Sequence, residues 1–165
     1  MIVVQYLQSK FRVKIISKFN YKNMSVSNKV DSALETMKHK ELGEVKVLMV
    51  EDDAMIQEMV IIKLVSKGCI PYATNNGNEA LLYAQQYEPN VIILDLMLPG
   101  KSGESVLKEI RSDEKLFNTP VIVFSNKSSH TDKETLMSLG ADRYLVKAST
   151  DLNELVSTIK ELVKK

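Results

Sequence analysis

Cysteine is nearly missing from this chain: Cys69 is the only one among 165 residues. A single thiol excludes an intramolecular disulfide and fits a reducing compartment. Its place between a helical and a strand-like stretch suits a small apolar residue better than a reactive thiol. Long apolar runs are missing too, for none approaches the ~20 residues that a membrane helix needs. No glycine-rich turn follows the first strand-like run, which argues against a nucleotide phosphate cradled by backbone amides there. Acids are absent before Asp31, although Lys10, Arg12, Lys14, Lys18, Lys22 and Lys29 precede it. Residues 1–44 hold 8 basic and 4 acidic side chains, against 22 and 21 in the whole chain, so residues 45–165 hold 14 and 17. A basic head precedes a mildly acidic body. The hydrophobic fraction of 44% and charged fraction of 26% suit one soluble globular domain with at most an appendage.

From residue 45 the chain alternates between two periods. Val45–Val50 reads as a buried strand, and Ala54–Lys67 repeats apolar residues at helical spacing until Gly68. Pro71–Thr74 reads as a strand, Asn76-Gly77-Asn78 as a turn, and Ala80 to Tyr87 as a helix ending before Pro89. Val91–Asp95 is the third strand, followed by the breakers Pro99-Gly100 and Ser102-Gly103 and a helix through Val106, Leu107 and Ile110. Pro120 opens a fourth strand, Thr131–Leu139 is helical, Arg143–Val146 is the last strand, and Asp151–Lys164 is an amphipathic helix. Five strand–helix units in strict alternation imply an α/β fold, a parallel sheet with helices on both faces.

Four of these strands end in residues able to hold a metal, a phosphoryl group or a charge: Asp52 and Asp53, then Asp95, Ser125 and Lys147. The carboxyl ends of parallel strands share one crevice, so these residues are expected to converge. Carboxylates suit Mg²⁺, and without an ion three of them would repel and raise at least one pKa. One carboxylate can then attack a phosphoryl donor to form an aspartyl phosphate. Lys147 would neutralise charge on the transferred group and the Ser125 hydroxyl would donate to its oxygen.

Glu51-Asp52-Asp53, Leu94-Asp95-Leu96-Met97-Leu98-Pro99-Gly100, Phe124-Ser125 and Tyr144-Leu145-Val146-Lys147 together resemble the receiver domain of bacterial two-component response regulators. The resemblance covers residues 45–165 and is chemotaxis-regulator-like. It implies a doubly wound five-stranded sheet in the flavodoxin-like order 2-1-3-4-5. It also implies Asp95 as phosphoacceptor, Asp52 and Asp53 as metal acids, Lys147 as phosphate partner, and Ser125 with Tyr144 as the switch pair. The Met97 backbone carbonyl would complete the protein ligands of Mg²⁺. The implied donor is a sensor histidine kinase or phosphotransfer protein, and the protein would catalyse only its own phosphorylation and dephosphorylation.

Some positions depart from the family pattern. Ala148 stands where a proline in a cis peptide usually follows the lysine, so that loop is expected to be strained or to take another path. Asn126 is bulkier than the usual neighbour of the switch hydroxyl. Met97, two residues beyond Asp95, cannot orient a hydrolytic water, and Lys127, two beyond Ser125, is expected to reach the phosphoryl oxygens. A slowly hydrolysing phosphoaspartate is the expectation.

Each residue has a plainer reading: Asp52 as a helix N-cap before Ala54, Asp95 as a strand-end acid, Lys147 as a surface lysine, Tyr144 as a half-buried aromatic. A coincidence at four strand ends outweighs them. Neither His39 nor His130 has metal-ligand spacing, and His130 reads as a loop residue. Gly100-Lys101-Ser102 imitates the end of a P-loop, but Asp95 stands where that motif needs glycine. A receiver-like docking module that works without phosphorylation is the rival.

One helix remains after Lys147, which suggests a stand-alone receiver signalling through roughly Thr131 to Lys164 to an unidentified protein target. No direct nucleic-acid binding is expected, a homodimer is open, and the expected location is cytoplasmic. In residues 1–44, Val4, Leu7, Phe11, Ile15 and Phe19 fall at helical spacing with Lys10, Lys14 and Lys18 between them. Such a stretch suits an anionic membrane surface or a partner. The preferred expectation is a disordered arm, or a start of translation at Met24 or Met37.

Overall fold

The computed structural model describes residues 42, 44–127 and 130–164. The expectations for residues 1–41 lie outside them. Ten elements alternate along the chain: β1 (Lys46–Val50), α1 (Ala54–Ser66), β2 (Ile70–Thr74), α2 (Gly77–Tyr87), β3 (Val91–Leu94), α3 (Gly103–Ser112), β4 (Val121–Ser125), α4 (His130–Ser138), β5 (Arg143–Val146) and α5 (Leu152–Val163). The strands form one parallel sheet in the order β2-β1-β3-β4-β5, with Val50 opposite both Thr74 and Leu94 and Ser125 opposite Val146.

The pleat sends alternate residues to opposite faces, and both faces are covered. Leu48, Val50, Ile92, Leu94, Val121 and Val123 pack with Ala80 and Ala84 of α2, Val106, Leu107 and Ile110 of α3, and Leu136 of α4. Val47, Met49, Ile93, Ile122 and Phe124 pack with Val60 and Leu64 of α1 and Leu155, Ile159 and Leu162 of α5. The domain reaches back past residue 45, since the Leu42 N–H donates to the Lys67 carbonyl at 3.2 Å and Leu42 packs on the second cluster. Cys69 is buried, and burial pushes its thiol up to about 12, as suits an inert apolar filler.

Local chemistry accounts for the helix starts. Asp53, Asn76, Ser102 and Asp151 cap α1, α2, α3 and α5, each accepting from backbone N–H groups of the first turn. Two expectations change here. Asn76-Gly77-Asn78 is not a free turn, because α2 begins at Gly77, where a Cβ would lie 1.9 Å from the Lys101 carbonyl oxygen. Close approach, not turn geometry, requires that glycine. His130 opens α4 and is not part of a loop.

Arg111 of α3 ties the far side together. Its Nε donates to the Gly140 carbonyl at 2.8 Å, Nη1 to the carbonyls of Thr119 (2.9 Å) and Phe117 (3.2 Å), and Nη2 to Asp142 Oδ2 at 2.9 Å. The same Asp142 oxygen accepts from the Val121 N–H. No helix among the described residues is long and apolar enough to cross a membrane.

Candidate functional site

The site begins where the ladder of the sheet runs out. Glu51 N–H donates to the Thr74 carbonyl and Asp95 N–H to the Val50 carbonyl, so both residues extend the strand pairing by one step. Gln57, buried in the first turns of α1, donates its amide to the carbonyls of Glu51 (2.9 Å) and Thr74 (3.2 Å). The ends of β1 and β2 are thus stapled together. Below Asp95 the chain is equally confined, since a Cβ on Gly103 would lie 2.0 Å from the Asp95 carbonyl oxygen.

Two carboxylates are buried here, Glu51 at 1% and Asp95 at 5% exposure. Lys147, extending from β5, lies between them. Its Nζ is 2.6 Å from Asp95 Oδ2, and 2.8 and 2.6 Å from Glu51 Oε1 and Oε2. The other Asp95 oxygen accepts from the N–H groups of Leu96 (2.6 Å) and Met97 (3.3 Å). Each oxygen of Asp95 therefore has a fixed environment, one cationic and one amidic.

Burial comes first among the causes that push the Glu51 carboxyl above the usual carboxylate range; Lys147 pulls the other way and Asp95 adds a smaller push. The expected rise in a carboxyl pKa is therefore present, with desolvation ahead of charge repulsion. Burial also works against the Lys147 ammonium, but hydrogen bonds to Asp95 and Glu51 prevail and hold it above its ordinary value.

Asp52, Asp95, Ser125 and Lys147 meet as expected, and the acid group contains one unexpected member. Oxygens of Glu51, Asp52 and Asp95 all lie within 4.8 Å of one another. Asp53, expected as a metal acid, is engaged elsewhere: its Oδ1 accepts from Met55 N–H (2.9 Å) and Ile56 N–H (3.1 Å) as the cap of α1. The cap also falls on Asp53 and not on Asp52, the plainer reading given above. Glu51 and Asp52 are the acid pair, shifted by one residue. The signal for this was Ala54, because the residue immediately before a helix is the one placed to cap it.

Ser125 is 1% exposed and its Oγ has no hydrogen-bond partner, an arrangement that costs free energy unless a further group uses it. Hard oxygen donors at this separation suit Mg²⁺, and the orphaned hydroxyl suits an oxygen of a transferred group. Tyr144 lies across β4, where its hydroxyl donates to the Lys127 carbonyl at 2.6 Å. Asn126 and Lys127 are exposed, as is the Met97 side chain at 63%. No described peptide bond is cis, so the chain after Lys147 takes the other path: residues 147–149 turn, with Ser149 and Thr150 N–H groups donating to the Val146 carbonyl.

Comparison with known proteins agrees with this geometry. Residues 47–160 match the response regulator receiver domain family. Among solved structures, the receiver domain of the Francisella response regulator 1452 is 32% identical, with 73% of this chain and 98% of that one covered at a TM-score of 0.68. The chemotaxis protein CheY4 of Vibrio cholerae is 29% identical, covering 73% and 99% at a TM-score of 0.68. The receiver domain of the sensor histidine kinase PA1611 from Pseudomonas aeruginosa PAO1, solved with a magnesium ion in its active site cleft, is 25% identical, covering 74% and 100% at 0.69. The sequence motifs, the strand order and these matches lead to one conclusion: this chain belongs to the response regulator receiver domain family of two-component signalling.

Proposed function

We propose that this protein is a phosphorylation-activated switch whose phosphoacceptor is Asp95. The observation that carries the reading is the pairing of a buried Asp95 carboxylate with Lys147 beside an orphaned Ser125 hydroxyl. The donor is the phosphohistidine of a sensor kinase or phosphotransfer protein. An Asp95 oxygen attacks phosphorus, the P–O bond forms as the P–N bond breaks, and the imidazole leaves with a proton. Lys147 balances charge on the transferred group, and Ser125 Oγ donates to one of its oxygens. Glu51, Asp52 and Asp95, with the Met97 backbone carbonyl, would hold Mg²⁺, as the magnesium-bound PA1611 receiver supports. A bound Mg²⁺ supplies charge neutralisation and alignment of the donor.

The transferred group adds about two negative charges to a dry site. Ser125 turning towards it draws the β4–α4 loop inward, and Tyr144, held through Lys127 to that loop, follows. The α4–β5–α5 surface thereby changes and is read by a protein target. Chemistry on any other substrate is not part of this reading: the protein catalyses only its own phosphorylation and dephosphorylation. An apolar Met97 leaves the phosphoaspartate long-lived, and a half-life of seconds in purified protein would refute that part.

Intact mass after incubation with acetyl phosphate tests the reading. One added phosphoryl group is expected with Mg²⁺, and none without it or in Asp95→Asn. No addition in folded protein would favour a docking module that works unphosphorylated.

A further inference from the structure

We propose that Gln57 is a positioning residue for the acid cluster, holding Glu51 and Asp52 in place for a divalent cation. The buried face of α1 consists of Gln57, Val60, Leu64 and Val65. Gln57 is 2% exposed, as deep as its apolar neighbours. A polar amide in such a place costs free energy unless its hydrogen bonds are made. Those of Nε2 are made, and both go to strand ends. The carbonyl oxygens of Glu51 (2.9 Å) and Thr74 (3.2 Å) face it, so each N–H has an acceptor.

The ladder between β1 and β2 explains why the Glu51 carbonyl needs this donor. Ile70 N–H donates to the Val45 carbonyl where the ladder opens, and Glu51 N–H to the Thr74 carbonyl where it closes. With Val50 opposite Thr74, the next rung would join Asn76 N–H to the Glu51 carbonyl. Asn76 N–H is bonded elsewhere, to Thr74 Oγ1 at 3.3 Å, as the chain turns off into α2. The Gln57 amide takes its place, a side chain standing in for a rung of the sheet. Asp52 is then held from both sides. Glu51 before it is fixed to the sheet, and Asp53 after it caps α1. Gln57 also grips that second flank, its own N–H donating to the Asp53 carbonyl at 2.9 Å. A neutral donor does all this without adding a charge that would compete with a cation. The proposal rests on the reading of Glu51, Asp52 and Asp95 as a Mg²⁺ site.

Magnesium titration calorimetry on the full-length chain tests it. Gln57→Met keeps the length of the side chain and removes both donors. It should weaken Mg²⁺ binding about tenfold in protein shown to be folded. Arg111→Ala, destabilised on the far side, should bind Mg²⁺ like the unaltered chain. Unchanged affinity in Gln57→Met would overturn the proposal. An equal loss in Arg111→Ala would overturn it too, since affinity would then follow general stability. An unaltered chain that binds no Mg²⁺ would instead overturn the reading of the metal site, and the proposal with it. Side-chain amide exchange in the unaltered chain is a second measurement that needs no variant. The Gln57 amide protons should exchange at least about tenfold more slowly than those of exposed Gln86. Exchange as fast as at Gln86 would mean that the two strand-end bonds do not hold, and would end the proposal.

Discussion

Two clusters in this molecule are each built around one basic side chain, and they are opposite in kind. At the carboxyl ends of the strands Lys147 serves two buried acids, and the nearby Ser125 hydroxyl has no partner. On the α3 side Arg111 delivers its donors to four acceptors from two loops, and Asp142 is shared with Val121 N–H. The Arg111 cluster is saturated, whereas the Lys147 cluster has spare capacity. Buried polar networks stabilise when every member is satisfied and cost free energy when one is not. An unsatisfied hydroxyl beside a cluster of buried acids marks where another group is meant to arrive.

The largest effect expected is on the saturated cluster. Arg111→Ala removes four hydrogen bonds, leaving Asp142 only that from Val121 N–H, and should lower unfolding free energy by about 2–4 kcal/mol, measured by urea denaturation, while phosphorylation by acetyl phosphate persists. Loss of both together would mean the two clusters are not independent. Next, Asp52→Asn should weaken Mg²⁺ binding by about tenfold or more in titration calorimetry. Asp53→Ala should leave that affinity within about twofold yet cost about 1 kcal/mol of stability as a lost cap; the reverse pattern would restore Asp53 to the metal site. Ser125→Ala should be neutral or stabilising by up to about 1 kcal/mol, because it deletes an orphaned hydroxyl, and a clear loss would show a partner for that group. The smallest effect is that of Asp151, whose carboxyl is held below its ordinary 3.8 by the Glu154 and Asn153 N–H groups. A lowered folded pKa stabilises above the unfolded value and the contribution fades as pH falls through the folded one. Asp151→Asn should flatten the acid limb of a stability–pH curve slightly, and less so in high salt.

These two clusters also mark how far reading the chain alone can go. Hydrophobic period and the Gly and Pro breakers together made the ten elements legible. Strand-end placement alone brings Asp95, Ser125 and Lys147 together. The offset between Asp53 and Glu51 was harder. Both are acids next to Asp52, and burial, which separates them, belongs to the packed structure and not to residue type. Arg111 could not be read at all, since its acceptors at 117, 119, 140 and 142 share no local signal. Gln57 carries no signal of its own in the sequence, and only the neighbouring ends of β1 and β2 give it a purpose.

The segment from Asp95 to Gly103 is pinned at both ends. Gly103 presses on the carbonyl of Asp95 itself, and Lys101 presses on Gly77 of the neighbouring helix. A segment held that way has no slack. For anyone wishing to splice a reporter into this protein, residues 96–102 are accordingly a poor choice despite lying in a surface loop: an insert there would pull the acceptor carboxylate out of line before it disturbed the fold.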